Sequence, residues 1–204
     1  MTQNILNEPA LEASTIEEDV EPTLMERFSY LSPYIALLVA WVATCGSLFF
    51  SEVLLWMPCA LCWYQRILMY PLAIIIAVGI LRRDNRMYWY VLPFTALGGA
   101  IALYHYLLVK TTWFEPPKCT TGIPCTIEYL NWFGFINIPL MALTAFILIS
   151  AMMLFLMSFP AFESTESDYA DDVASARPSL RTFGAVVGII GLVIVSFVIL
   201  AQVR

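Results

Sequence analysis

The chain has 204 residues, 60% of them apolar and only 13% charged, with a mean hydropathy of +0.77. A water-soluble globular domain of this length cannot hide so much apolar side chain, so that class is excluded and an integral membrane protein is implied. The formal net charge of −6 points to no cationic binding face and no nucleic-acid partner, because 12 of the 16 acids fall in two polar segments, Thr2–Glu26 and Glu163–Asp172.

Residues 1–28 carry seven acids against Arg27, together with Pro9 and Pro22. They read as a disordered, acidic cytoplasmic tail with no cleavable signal peptide. The first apolar run, Leu31–Trp56, is long enough to cross a hydrocarbon core of about 30 Å, and Pro33 falls in its expected first turn, where a missing N–H costs little. A second run, Trp63–Leu81, ends in Arg82-Arg83-Asp84-Asn85-Arg86, and a third spans Tyr88–Val109. A polar stretch, Lys110–Asn137, then leads to a fourth run, Ile138–Phe159, with Pro139 at its start and Pro160 just past its end. An acidic loop, 161–181, precedes a fifth, uncharged run, Thr182–Val203. Unbroken runs of this length are not the alternating ten-residue segments of a β-barrel. The expected fold is an all-α integral membrane protein: a four-helix transmembrane bundle over 29–160, with a fifth C-terminal transmembrane helix over 182–204.

Orientation is read from lysine and arginine. With the N-terminus cytoplasmic, Arg27, Arg82, Arg83, Arg86, Arg177 and Arg181 lie inside, while Lys110, Lys118 and Arg204 lie outside. Six against three supports that orientation in the cytoplasmic membrane. It puts Trp56–Cys62 and the whole of Lys110–Asn137 on the outer face. The aromatics Trp56, Trp63, Trp113, Trp132 and Phe133 mark one interface, and Tyr88, Trp89 and Tyr90 the other.

This topology places four of the five cysteines, Cys59, Cys62, Cys119 and Cys125, at or beyond the outer interface, where an oxidising compartment permits disulfides. Cys45 lies mid-span and reads as a small packing residue. Cys62 opens the second helix, and Arg66 shares its face four residues on. Both the helix N-terminus and the guanidinium place positive charge beside the Cys62 sulfur, the setting in which thiol–disulfide exchange is fast. Half of a four-cysteine zinc knuckle is the alternative for Cys59 and Cys62, but five residues separate Cys119 from Cys125, wider than the usual two to four. Trp63 rather than His follows Cys62, against a c-type haem. Cys119 and Cys125 also admit a purely structural clip around Thr120–Pro124. Glu52, Arg66 and His105 fall at similar depth on three helices, and ionisable groups inside a membrane mark function more often than chance. A polar pocket opening to lipid beside a reactive sulfur suits a lipophilic two-electron acceptor with oxygens to hydrogen-bond, such as a quinone held by Arg66 and His105. Flavin and nicotinamide fingerprints are not visible, and no metal is expected.

Cys45-Gly46-Ser47-Leu48-Phe49-Phe50-Ser51-Glu52, Pro58-Cys59-Ala60-Leu61-Cys62-Trp63-Tyr64-Gln65-Arg66, Gly122-Ile123-Pro124-Cys125-Thr126 and Asn131-Trp132-Phe133-Gly134-Phe135-Ile136 together resemble the disulfide bond formation protein B (DsbB) family, most closely its BdbC-type branch, over roughly Phe28–Phe159. The resemblance implies a four-helix bundle that reoxidises an extracytoplasmic DsbA- or BdbD-like thioredoxin-fold thiol oxidase and passes the electrons to ubiquinone or menaquinone. By position it implies that Cys59 and Cys62 are the quinone-proximal pair with Cys62 facing the quinone. It likewise implies that Cys119 forms the mixed disulfide with the partner, that Cys125 relays to Cys59, and that Arg66 and His105 lie at the quinone. Two departures from the family stand out: the loop cysteines are closer together than in its long-loop members, and the fifth helix is additional to its four spans. Two other readings remain. A vitamin K epoxide reductase-like enzyme is disfavoured because its loop cysteines precede the CxxC. A non-catalytic multispan protein whose external cysteines only staple its loops predicts that no thiol partner is ever trapped.

Overall fold

The computed structural model describes residues 24–111, 124–160 and 180–203. Cys119, the N-terminal tail over 1–23 and most of the acidic loop lie outside them.

Among the described residues, five helices are long and apolar enough to cross a membrane: α1 (Leu24–Leu48), which continues as a π-helical segment over Phe49–Val53, α2 (Ala60–Leu81), α3 (Tyr88–Lys110), α4 (Ile138–Ser158) and α5 (Leu180–Val203). The chain is a multi-pass all-α membrane protein. α1 to α4 form a closed ring in which each helix packs on its two neighbours in sequence and α4 returns to α1, while α5 lies outside the ring against α1 and α2. The shared core is a column of Leu37, Leu72, Ile76, Ile80, Val91, Phe146, Ile149 and Met153.

In lipid, apolar side chains gain little by meeting one another, so close packing and interhelical hydrogen bonds must hold the ring. Both are present. A Cβ added at Gly98 of α3 would lie 2.3 Å from the Phe146 ring of α4, so only a glycine lets these two helices meet as closely as they do. The Ser150 hydroxyl donates to Thr95 Oγ1 at 2.8 Å, tying α4 to α3. Ser32 donates to the Met152 carbonyl at 3.3 Å, and Ser29 to that of Phe159, tying α1 to α4.

α1 begins earlier than its apolar pattern implies. Pro33 therefore sits inside the helix rather than in its first turn, where its ring costs one backbone hydrogen bond. α4 starts where the sequence indicates. Asn137 is its N-cap, with Oδ1 accepting from Leu140 N at 3.1 Å, and Pro139 follows in the first turn.

Candidate active site

The end of the bundle opposite the Arg82–Arg86 turn gathers the chemistry. The chain leaves the π-helical segment through Leu55, which takes a left-handed φ of 55°, and runs extended to Cys59, the N-cap of α2. This geometry sets Cys59 Sγ 3.4 Å from Cys62 Sγ, one turn into the helix. π-Helical turns and left-handed non-glycine residues both cluster at functional sites, and here one follows the other directly before the CxxC.

Cys125 is only 2% exposed and packs with Cys59, Leu108, Leu61 and Cys62 in one small cluster. The loop cysteine is thus already seated on the CxxC. His105 of α3, 3% exposed, holds this arrangement together. Its Nε2 lies 3.0 Å from the Cys125 carbonyl oxygen and 3.8 Å from Cys59 Sγ, and its Nδ1 lies 3.3 Å from Gln65 Nε2. A carbonyl only accepts, so Nε2 carries the proton and donates to Cys125, while the Gln65 amide donates to Nδ1. In the dithiol form the Cys59 thiol is pushed up to about 11, first by its hydrogen bond to Cys62 and then by burial.

Arg66 is held away from the ring's centre by α1. Its Nη2 donates to the Ser47 carbonyl at 3.1 Å, its Nη1 to Ser51 Oγ at 3.4 Å, and its Cζ lies 5.5 Å from the Trp63 ring centroid. Those two bonds occupy two of the five guanidinium donors. Cys59, Cys62, Gln65, Arg66 and His105 all line one cavity of about 510 Å³, whose remaining wall is mostly apolar and comes from α1, α2, α4, the loop after Cys125 and Phe197 of α5. A ring stack roofs it: Phe50 on Trp56, and Trp56 on Tyr129, each pair with centroids 5.4 Å apart. An apolar cavity of this size with a cation and two sulfurs in its wall can hold a small lipophilic ligand that carries hydrogen-bond acceptors.

Beyond Cys125 the loop is fastened by Glu128. It pairs with Lys110 at the end of α3 at 2.5 Å, and accepts from Asn131 Nδ2 at 2.8 Å and from the α4 N-cap Asn137 at 3.2 Å. Burial pushes the Glu128 carboxyl up, but the contacts with Lys110, Asn137 and Asn131 outweigh it and hold the group below its ordinary value.

The structure thus brings together Cys59, Cys62, Cys125, Arg66 and His105. It does not bring in Glu52, whose side chain is exposed and, among the described residues, accepts from the neighbouring Ser51 hydroxyl at 3.4 Å. The π-helical turn shifts the register after Leu48 and turns Glu52 out of the layer that its depth suggests. Gln65, the Trp56–Tyr129 stack and Glu128 escaped the sequence reading. For Gln65 a signal existed: it shares the spacing of Met69, Leu72 and Ile76, so a polar side chain interrupts the buried stripe of α2.

The model of the family Disulfide bond formation protein DsbB matches residues 30–202. Disulfide bond formation protein C of Bacillus subtilis (strain 168) is 50% identical over 121 residues, covering 59% of this chain and 88% of that protein. Probable disulfide formation protein C of Halalkalibacterium halodurans is 47% identical over 113 residues, 55% of this chain and 82% of its own. Probable disulfide formation protein of Oceanobacillus iheyensis is 42% identical over 127 residues, 59% and 88% respectively. No solved structure matches the chain.

Proposed function

Because the chain belongs to the disulfide bond formation protein DsbB family, we propose that this disulfide-forming membrane protein reoxidises an extracytoplasmic thioredoxin-fold thiol oxidase and passes the electrons to a membrane quinone. The observation that carries this reading is the burial of Cys125 against Cys59 and Cys62 at the wall of an apolar cavity that also holds Arg66. A loop cysteine that serves only to clip its own loop has no reason to be buried on a CxxC.

The steps are thiol–disulfide exchanges and conserve electrons. A thiolate of the reduced partner attacks the loop disulfide at Cys119, forming a mixed disulfide and releasing Cys125. The partner's second thiolate then resolves the mixed disulfide, leaving the partner oxidised and the loop as a dithiol. Cys125 attacks the Cys59–Cys62 disulfide at Cys59, with Cys62 as the leaving sulfur, and Cys119 closes the loop disulfide again as Cys59 departs. The electron pair then resides on a Cys59–Cys62 dithiol. His105 serves the hand-over by positioning the Cys125 backbone over Cys59, and Gln65 fixes the imidazole in the tautomer that does so. A quinone, when bound, supplies a two-electron, two-proton acceptor. Arg66 offers donors to an acceptor oxygen in a wall that excludes water, where such donors count most. The arginine bias supports a cytoplasmic N-terminus and redox cysteines on the outer face.

In cells, Cys125→Ser is expected to accumulate a reducible adduct between Cys119 and an extracytoplasmic thioredoxin-fold protein. Absence of any adduct, together with normal disulfide formation in exported proteins, overturns the assignment.

A further inference from the structure

Cys59 Sγ, Cys62 Sγ and a ring nitrogen of His105 lie within 4.8 Å of one another. The two sulfurs are 3.4 Å apart, and Cys59 Sγ is 3.8 Å from His105 Nε2. A tetrahedral zinc with Zn–S of about 2.3 Å and Zn–N of about 2.0–2.1 Å holds two sulfurs about 3.8 Å apart, and a sulfur and a nitrogen about 3.5 Å apart. The Cys59–Cys62 sulfur separation and the Cys59 Sγ–His105 Nε2 separation each differ from those values by less than about half an ångström, and side-chain rotation of Cys62, whose sulfur lies within 4.8 Å of a ring nitrogen of His105, closes the third side. We propose that the reduced Cys59–Cys62 pair and His105 form a binding site for a thiophilic d10 cation, zinc(II) or copper(I), with two thiolates and one imidazole nitrogen as ligands.

Two further observations support the site. A metal-bound imidazole needs its other ring N–H held by an acceptor, and Gln65 stands at Nδ1, 3.3 Å away. A primary amide presents either its NH2 or its oxygen by a half-turn, so Gln65 serves both states of the ring. Without metal, Nε2–H donates to the Cys125 carbonyl and the amide NH2 meets Nδ1. With metal, Nε2 gives its lone pair to the cation, the ring proton sits on Nδ1 and the amide oxygen accepts it. All three ligand residues also line the cavity, which leaves a fourth coordination position open for water and gives the ion a way in.

Binding displaces two thiol protons and changes no oxidation state. The disulfide form of the pair offers no thiolate, so the site exists only in the reduced stage of a redox cycle. Occupancy there withdraws His105 from the Cys125 carbonyl and blocks both sulfurs. The site depends only on reduced thiols and the His105 geometry, so it stands or falls separately from the quinone and the thioredoxin-fold partner.

The test uses full-length protein in detergent carrying Cys45→Ser, Cys119→Ser and Cys125→Ser, titrated with Zn2+ against a chromophoric chelator. One zinc per chain is expected in the reduced form and none once Cys59 and Cys62 are joined. His105→Ala and Gln65→Leu should each weaken binding by at least about tenfold. X-ray absorption of the zinc-loaded protein with His105 intact should show two sulfur neighbours and at least one nitrogen, and it decides the matter alone if His105→Ala does not fold. Sulfur-only coordination, equal binding to the oxidised form, an affinity unmoved by a folded His105→Ala protein, or binding that requires Cys119 or Cys125 overturns the proposal.

Discussion

The two ends of the helical ring solve the same problem in opposite ways. At the Arg82–Met87 turn the chain satisfies itself locally. Asp84 N donates to the Gly79 carbonyl at 3.0 Å, Asp84 Oδ1 accepts from Arg86 N at 2.8 Å, and Asp84 Oδ2 accepts from the Tyr90 hydroxyl at 2.6 Å. Arg83, in a left-handed conformation with φ of 52°, completes the turn. At the cysteine end the same four helices splay around a cavity, and long-range contacts fasten it: Arg66 to α1, His105 to Cys125, Glu128 to α3 and α4. A helix end that closes on itself is scaffold. One whose polar groups are held by distant partners around a cavity is where chemistry can occur, because the partners can be exchanged.

That contrast can be broken most severely at the sulfurs. Cys59→Ser or Cys62→Ser is expected to reduce disulfide formation to background while far-UV circular dichroism and thermal unfolding in detergent stay those of the parent. A comparable loss of helicity in either variant contradicts the separation of site from scaffold. Next in size is the packing that both ends share. Gly98→Ala drives a Cβ into the Phe146 ring and should destabilise the bundle by about 1–3 kcal/mol, the range for an overpacked core, read as a lower unfolding midpoint.

Smaller effects separate the ends again. The Glu128 carboxyl is held below its ordinary value in the folded protein, so its contribution to loop docking is complete above the ordinary carboxyl range and is lost as pH falls through the depressed value. Hydrogen exchange over residues 124–137 should therefore approach that of Glu128→Gln as the solution is acidified, with the two differing near neutral pH. Identical exchange at neutral pH removes Glu128 from the account. Smallest is Asp84→Asn at the self-contained turn. It is expected to cost no more than about 1 kcal/mol, the size of a hydrogen bond in an exposed setting, and to leave activity unchanged.

Much of this was legible in the residues. Five apolar runs gave five helices, because in a membrane every backbone group must be satisfied within its own segment and length alone then marks a span. Cys59, Cys62, Arg66 and His105 were placed at one level by counting residues from helix ends. Counting gives depth but not azimuth. Gln65 and Glu52 show the difference: one turns into the site and the other out to the surface, and the π-helical turn that rotates Glu52 away has no signature in its own five residues, Phe49–Val53. The placement of Cys125 was also beyond sequence. The resemblance implies that Cys125 relays to Cys59, but the spacing of Cys119 and Cys125 does not say how so tight a pair reaches the CxxC; Cys125 is held there by a hydrogen bond from His105, twenty residues before it.

The central claim is that Cys125 rests on Cys59 in the folded protein, poised for exchange. It is tested most directly with a chain carrying Cys62→Ser and Cys119→Ser, exposed to a mild oxidant in detergent without denaturant and digested for mass spectrometry. The account predicts a Cys59–Cys125 disulfide within each chain, formed in most molecules and slowed by His105→Ala. If Cys59 and Cys125 instead remain thiols, or join only after the helices are unfolded, the loop cysteine does not sit where the relay requires it.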